Sequence, residues 1–258
     1  MIDAFLELYR PITAPGVLIA IWVFVMINVP VVRWIAGEGA ERIGITAGVI
    51  TQSVAVITLI ALEVGWLVVI VIVLVPVLGW LSEAIGSHTG IPFGEYLYTD
   101  VLQPQVAHVP IIIPFAWLMM MPPSWAIGQL IAPDVPLLAW AVSAAAFTTW
   151  DLYLDPQMVN WRFWQWKKEG FYQGIPVTNY IGWFFVSFII TAAVDLVGRL
   201  AGLSLLQSLP VLPLAVIFVI TWALQFVGQF FFWKLRVSAI TGLVAMGAFV
   251  IAAFLIAQ

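Results

Sequence analysis

Of the 258 residues, 64% are hydrophobic and 9% are charged, with 9 Lys+Arg against 13 Asp+Glu; soluble domains carry roughly 45–50% apolar and about 25% charged residues. Such a chain cannot coat a water-facing sphere, and it reads as an integral membrane protein with no room for a separate soluble domain. A net charge of −4 without a basic cluster argues against nucleic acid, and the lack of cysteine excludes disulfides, iron–sulfur clusters, thiolate chemistry and Cys-type zinc sites.

The N-terminal Met1-Ile2-Asp3-Ala4 has neither a basic run nor a small-residue cleavage site, so no removable signal peptide is expected. A spanning helix takes about 20 apolar residues. The first span is expected over about 13–35, approached through Pro11 and Pro15, and the second over about 43–62. A third follows at 65–85 after a tight turn marked by Glu63 and Gly65, with Pro76 inside it. From 86 to 108 the apolar pattern breaks at Gly86, Gly90, Pro92, Gly94 and Pro104. A fourth span covers about 109–131, interrupted by Pro114 and Pro122-Pro123, and a fifth about 135–150. After the most polar stretch, 151–179, three spans close the chain near 180–200, 209–232 and 237–257. The expected fold is all-α: one polytopic bundle of eight transmembrane helices over residues 1–258, or seven if a Pro-broken segment only dips into the bilayer.

With eight spans, Arg33, Arg42, Arg162, Lys167, Lys168, Lys234 and Arg236 fall on one side and Arg10 and Arg199 on the other. The positive-inside rule then puts the larger group in the cytoplasm and both termini outside. Segments 86–108 and 151–179 fall together on the cytoplasmic face of the inner cell membrane.

Those two segments hold the usable chemistry. Glu83 stands where a long apolar helix ends, and a carboxyl that is partly desolvated there keeps its proton more readily, as a general acid must. A helix end pointing at headgroups is the plainer reading, and Glu95 between Gly94 and Tyr96 reads equally as a solvated turn. Asp151 and Asp155 are four apart and share one helical face. They can share a proton, ligate magnesium, or simply end the fifth helix with Pro156 as the stop. Trp161 and Trp164 form either an interfacial belt or aromatic faces for a substrate cation. Asp195 is expected to pair with Arg199 one turn later. The only histidines, His88 and His108, have no recognised metal spacing, so no metal site is expected.

At these segments the sequence resembles the membrane carotenoid hydratases. That group includes bisanhydrobacterioruberin hydratases and the bacterial enzymes acting on the acyclic end of γ-carotene or lycopene. The resembling stretches are 83–99 with Gly90-Ile-Pro-Phe-Gly-x-Tyr-x-Tyr98, then Val109-Pro-Ile-Ile-Ile-Pro-Phe-Ala-Trp117. The third is 151–183 with its Asp-Pro, Trp-x-Trp and Gly-x-Tyr-x-Gly-Ile-Pro elements. The resemblance implies addition of water to the terminal double bond of a long polyene, without a redox cofactor. Its partners would be a carotenoid, water and the bilayer, with other carotenoid-pathway enzymes as further candidates.

Protonation of a trisubstituted alkene gives a tertiary carbocation that water captures. The reaction needs a desolvated acid, a group to orient water, and walls that tolerate a cation. Glu83 and Asp151 are the candidate acid–base pair, supported by Asp155, Glu95 and His88. Tyr96, Tyr98, Tyr172 and Asn179 are candidates for holding water or orienting carboxyls, and Trp117, Trp161 and Trp164 for pocket walls. A membrane isoprenoid cyclase shares the protonation step. A magnesium-dependent prenyltransferase would use Asp151-x-x-x-Asp155, although a second Asp-rich motif is missing. A transporter or receptor bundle would place its charges along a path across the midplane.

Overall fold

A chain this apolar must satisfy its backbone internally, and helices do so within each segment. The computed structural model describes residues 14–256. Met1–Ala4, Arg10, Pro11, the expected start at Thr13 and the expected end at Ala257 lie outside the described residues.

Helix α1, Ala14–Val64, is two helices broken at Gly37, whose φ of 80° belongs to a region that side chains with a Cβ avoid. The halves, 14–36 and 38–64, run antiparallel. Gly44 packs against Val29, where an added Cβ would stand 3.4 Å from a Val29 methyl. Arg33 Nη1 donates to both oxygens of buried Glu41, at 3.1 and 2.9 Å, across the turn. A short turn at Gly65–Leu67 leads into α2, Val68–Thr89, which carries Pro76 without breaking.

Next come the strands β1 (Tyr96–Tyr98), β2 (Gln105–Val106) and β3 (Val109–Pro110). Helix α3, Ile112–Ile131, is buried without interruption from Trp117 to Gln129 and packs against α1, α2 and all four later helices, three of them most extensively. Those three are α4 (Pro136–Asn160), α6 (Val211–Val227, extended by a π turn at Gly228–Phe232) and α7 (Arg236–Ile256). Strand β4, Trp164–Trp166, and helix α5, Val177–Leu200, lie between α4 and α6. Counting both halves of α1, the described residues hold eight helical segments, and the protein is an all-α membrane bundle.

Several boundaries differ from expectation: the second half of α1 begins at 38, directly after Gly37, where a start near 43 is expected. Helix α2 continues to Thr89, where Gly90 caps it in the left-handed conformation. Residues Val109–Pro110 pair with Gln105–Val106 instead of starting α3. Most consequentially, α4 runs ten residues beyond its expected end at 150, so Asp151, Asp155 and Pro156 lie inside the helix. Pro156 has no N–H for the Leu152 carbonyl, and the Tyr172 hydroxyl donates to that carbonyl instead, at 3.0 Å. The proline is thereby accommodated.

The two polar segments meet as a ribbon not anticipated from sequence. Strands β1 and β4 pair antiparallel, with Tyr96 opposite Trp166 and Tyr98 opposite Trp164. Because side chains alternate along a strand, Tyr-Leu-Tyr and Trp-Gln-Trp turn their aromatic residues inward and Leu97 and Gln165 outward. The Gly37 turn belongs to the same end: Trp233 Nε1 donates to Glu41 Oε1 at 2.8 Å and its ring packs edge-on to Trp161.

This arrangement predicts labelling. With no native cysteine to remove, single cysteines replacing Glu38 and Lys168 should react with an impermeant maleimide from one face, expected to be cytoplasmic. A cysteine replacing Asp134 should react from the other. Glu38 and Lys168 labelling from opposite faces would contradict the arrangement.

Candidate active site

The ribbon caps a nook among α2, α3, α4 and α5. Glu83, on α2, is buried. The hydroxyls of Tyr96 and Tyr98 both donate to its Oε2, the latter at 2.9 Å, and Trp117 Nε1 donates to Oε1 at 3.3 Å. Burial first, and then the Glu83 charge, push both tyrosine hydroxyls well above their ordinary range, so they stay protonated donors.

Asp151 and Asp155, one turn apart on α4, face Asn179 near the start of α5. The two N–H bonds of one side-chain amide serve both: Asn179 Nδ2 donates to Asp151 Oδ2 at 2.6 Å and to Asp155 Oδ2 at 2.8 Å. Asp155 Oδ1 accepts from Trp164 Nε1 at 2.6 Å and Trp166 Nε1 at 3.2 Å. Asp151 Oδ1 is buried and has no hydrogen-bond partner among the described residues.

The nook is a cavity of about 30 Å³, walled between the carboxyls by Trp183, Phe93 and Trp117. Trp183 stacks on Trp117 and on Phe147, with ring centres 4.9 and 5.0 Å away. Phe93 wedges between α2 and α5 because Gly86 and Gly182 leave it room; a Cβ on either would come within 2.7–2.8 Å of its ring.

Beside the nook lies a larger chamber of about 290 Å³, lined mainly by apolar side chains from α1, α3, α4 and α6. Ile113, Ala116, Leu154 and Trp164 line both cavities, so the chamber shares a wall with the nook that holds the carboxyls.

A family model described as carotenoid biosynthesis protein matches residues 43–249, most of the chain. The chain belongs to the carotenoid biosynthesis protein family. No curated protein and no solved structure matches it.

In this carotenoid biosynthesis protein the fold gathers Glu83, Asp151, Asp155, Tyr96, Tyr98, Trp117, Trp164 and Asn179 around one nook. Trp161 lines the chamber instead. Tyr172 bonds to the α4 backbone. Glu95 sits at the surface near Lys167 and Lys168, at 3.6 and 3.9 Å. The exposed His88 ring bonds to the Ala84 carbonyl at 2.7 Å and neighbours His108, and it lines neither cavity. Asp195 pairs with Arg199 at 3.0 Å and accepts from Trp140. Sequence reasoning did not single out Trp166, Trp183 or Phe93. The alternation in Trp-x-Trp was the available signal for Trp166, since one inward tryptophan on a strand implies the other.

The shared amide is testable by stability. Asn179→Leu removes one donor from each buried aspartate, and unmet hydrogen bonding of a buried group costs about 1–3 kcal/mol. The melting temperature in detergent should fall clearly; an unchanged value would mean that Asn179 does not bridge the pair.

Proposed function

We propose that this carotenoid biosynthesis protein adds water to the terminal double bond of an acyclic carotenoid end group. The supporting observation is that an apolar chamber suited to a hydrocarbon arm abuts a nook holding three buried carboxyls. A polyene arm in the chamber places its end group against Ile113, Leu154 and Trp164 at the nook. The enzyme works from the cytoplasmic half of the cell membrane, in keeping with the distribution of basic residues.

In this reading Asp151 is the acid, because its Oδ1 alone among the nook's carboxyl oxygens has no competing donor aimed at it. The alkene electron pair takes the Oδ1 proton to form a new C–H bond at the less substituted carbon, leaving a tertiary carbocation. The indole faces of Trp164, Trp117 and Trp183 tolerate that cation. Glu83, held by three donors, supplies a fixed negative charge that needs no reorganisation as the cation forms. Water in the nook attacks the cation through oxygen. The proton it loses returns to the Asp151–Asp155 pair, so the acid is regenerated and no net proton is consumed.

Two rivals fit less well. A cavity of about 30 Å³ accommodates two or three waters, at roughly 10–15 Å³ of such space each. A cyclase must seat a second double bond of the folded polyene there. Prenyl transfer needs basic ligands for diphosphate, and no Lys or Arg lines the nook among the described residues.

Expression in a lycopene-producing bacterium, followed by mass analysis of the pigments, tests the proposal. Gain of one water mass is expected; unchanged mass with shifted retention would indicate cyclisation, and addition of five carbons transfer. Asp151→Asn should lower turnover by on the order of 10²–10⁴, the usual worth of a positioned proton donor. Near-normal turnover in Asp151→Asn would remove Asp151 from the acid role.

A further inference from the structure

A substrate dissolved in the bilayer must reach the chamber without crossing water. The chamber's lining shows where it can. Most lining side chains are buried or half-buried, but Ile27, Val227 and Phe232 are 54%, 41% and 55% exposed, and Arg42 and Thr46 are exposed beside them. These residues form two facing edges. Ile27, Arg42 and Thr46 belong to the α1 hairpin, whereas Val227 and Phe232 belong to the end of α6 and its π turn. In a membrane-embedded bundle, a residue that lines an internal chamber and is also exposed on the outer wall marks an opening to lipid.

The depth of that opening follows from helix geometry. Ile27 and Thr46 stand ten and nine residues from Gly37, so at 1.5 Å per residue neither is more than about 15 Å from the turn. A hydrocarbon core is about 30 Å thick. The mouth therefore faces the leaflet on the same side as the nook. At its interfacial edge a side-chain hydrogen bond joins the two sides, from Trp233 Nε1 to Glu41 Oε1 at 2.8 Å, and Glu41 is itself held by Arg33. The irregularity lies in the same place: the π turn Gly228–Phe232 ends α6 here, and π turns are frequent at functional sites.

We infer that the cleft between the α1 hairpin and the Val227–Phe232 segment is a lateral portal through which an acyclic polyene passes from one leaflet into the chamber. Trp233, bonded to Glu41, is the crossbar at its interfacial edge. The polar flank at Arg42 and Thr46 keeps the portal at the headgroup boundary, and its apolar flank at Ile27, Val227 and Phe232 matches a hydrocarbon. The inference rests on the polyene reading of the chamber, and its test reads uptake without chemistry.

Asp151→Asn protein in lipid vesicles is mixed with vesicles carrying lycopene, and quenching of tryptophan fluorescence by the polyene is followed in time. Thr46→Phe with Val227→Phe narrows the portal and should slow quenching roughly tenfold, a barrier of about 1.4 kcal/mol. Ile189→Phe, on the lipid-facing side of α5, should leave the rate unchanged. As a reversible version, Thr46→Cys and Val227→Cys joined by a cleavable thiol-reactive linker should block uptake, and cleavage should restore it. Unchanged rates in both portal variants would overturn the portal alone. Absence of quenching in the unnarrowed protein would overturn it together with the polyene reading of the chamber.

Discussion

Carboxyl groups inside an apolar bundle must have their oxygens met by donors, because water is not there to do it and an unmet buried charge is costly. The nook holds three carboxyls and so six oxygens. Glu83 accepts on both oxygens, Asp155 on both, and Asp151 on Oδ2; Asp151 Oδ1 is the one left over. Five oxygens are fixed by indoles, phenols and an amide that stay donors through the physiological pH range. The sixth is the one from which the proposed reaction draws its proton.

The rest of the architecture follows from supplying those donors. Two tyrosines and two tryptophans must point inward from outside the helices, and a short antiparallel ribbon does this by its two-residue period. The ribbon needs both polar segments at one end of the bundle, which the even number of spans between them provides. Bringing both aspartates to the nook needs α4 to continue past residue 150, and that requires a partner for the carbonyl that Pro156 strands. Tyr172 is thus part of the site by supporting the helix that carries it.

The helices and the carboxyls were legible because their signals are strong and local. Long apolar runs have one solution in lipid, and Glu83, Asp151 and Asp155 stand out as charges at or within such runs. Asn179, Tyr96 and Tyr98 were legible as polar residues of the two segments whose motifs carry the family resemblance. What failed was inference from sequence adjacency. Glu95 and His88 lie within a few residues of the site residues, yet strand alternation and helix phase turn them away, toward lysines and toward a backbone carbonyl. Pro156 read as a stop because its rescue comes from Tyr172, sixteen residues on. The chamber was invisible in the sequence, since its wall is assembled from α1, α3, α4 and α6, and no single segment carries its shape.

Water addition begun by a carboxyl proton leaves an isotopic record, and this record is the most direct test of Asp151 as the acid. Conversion of the acyclic carotenoid in deuterium oxide enriched in oxygen-18 should give a product with one carbon-bound deuterium next to a hydroxyl-bearing carbon labelled with oxygen-18. The Asp151→Asn protein, folded and still binding the polyene, should yield neither label above background. A hydroxylated product lacking carbon-bound deuterium, or normal double labelling by Asp151→Asn, would contradict proton delivery from Asp151.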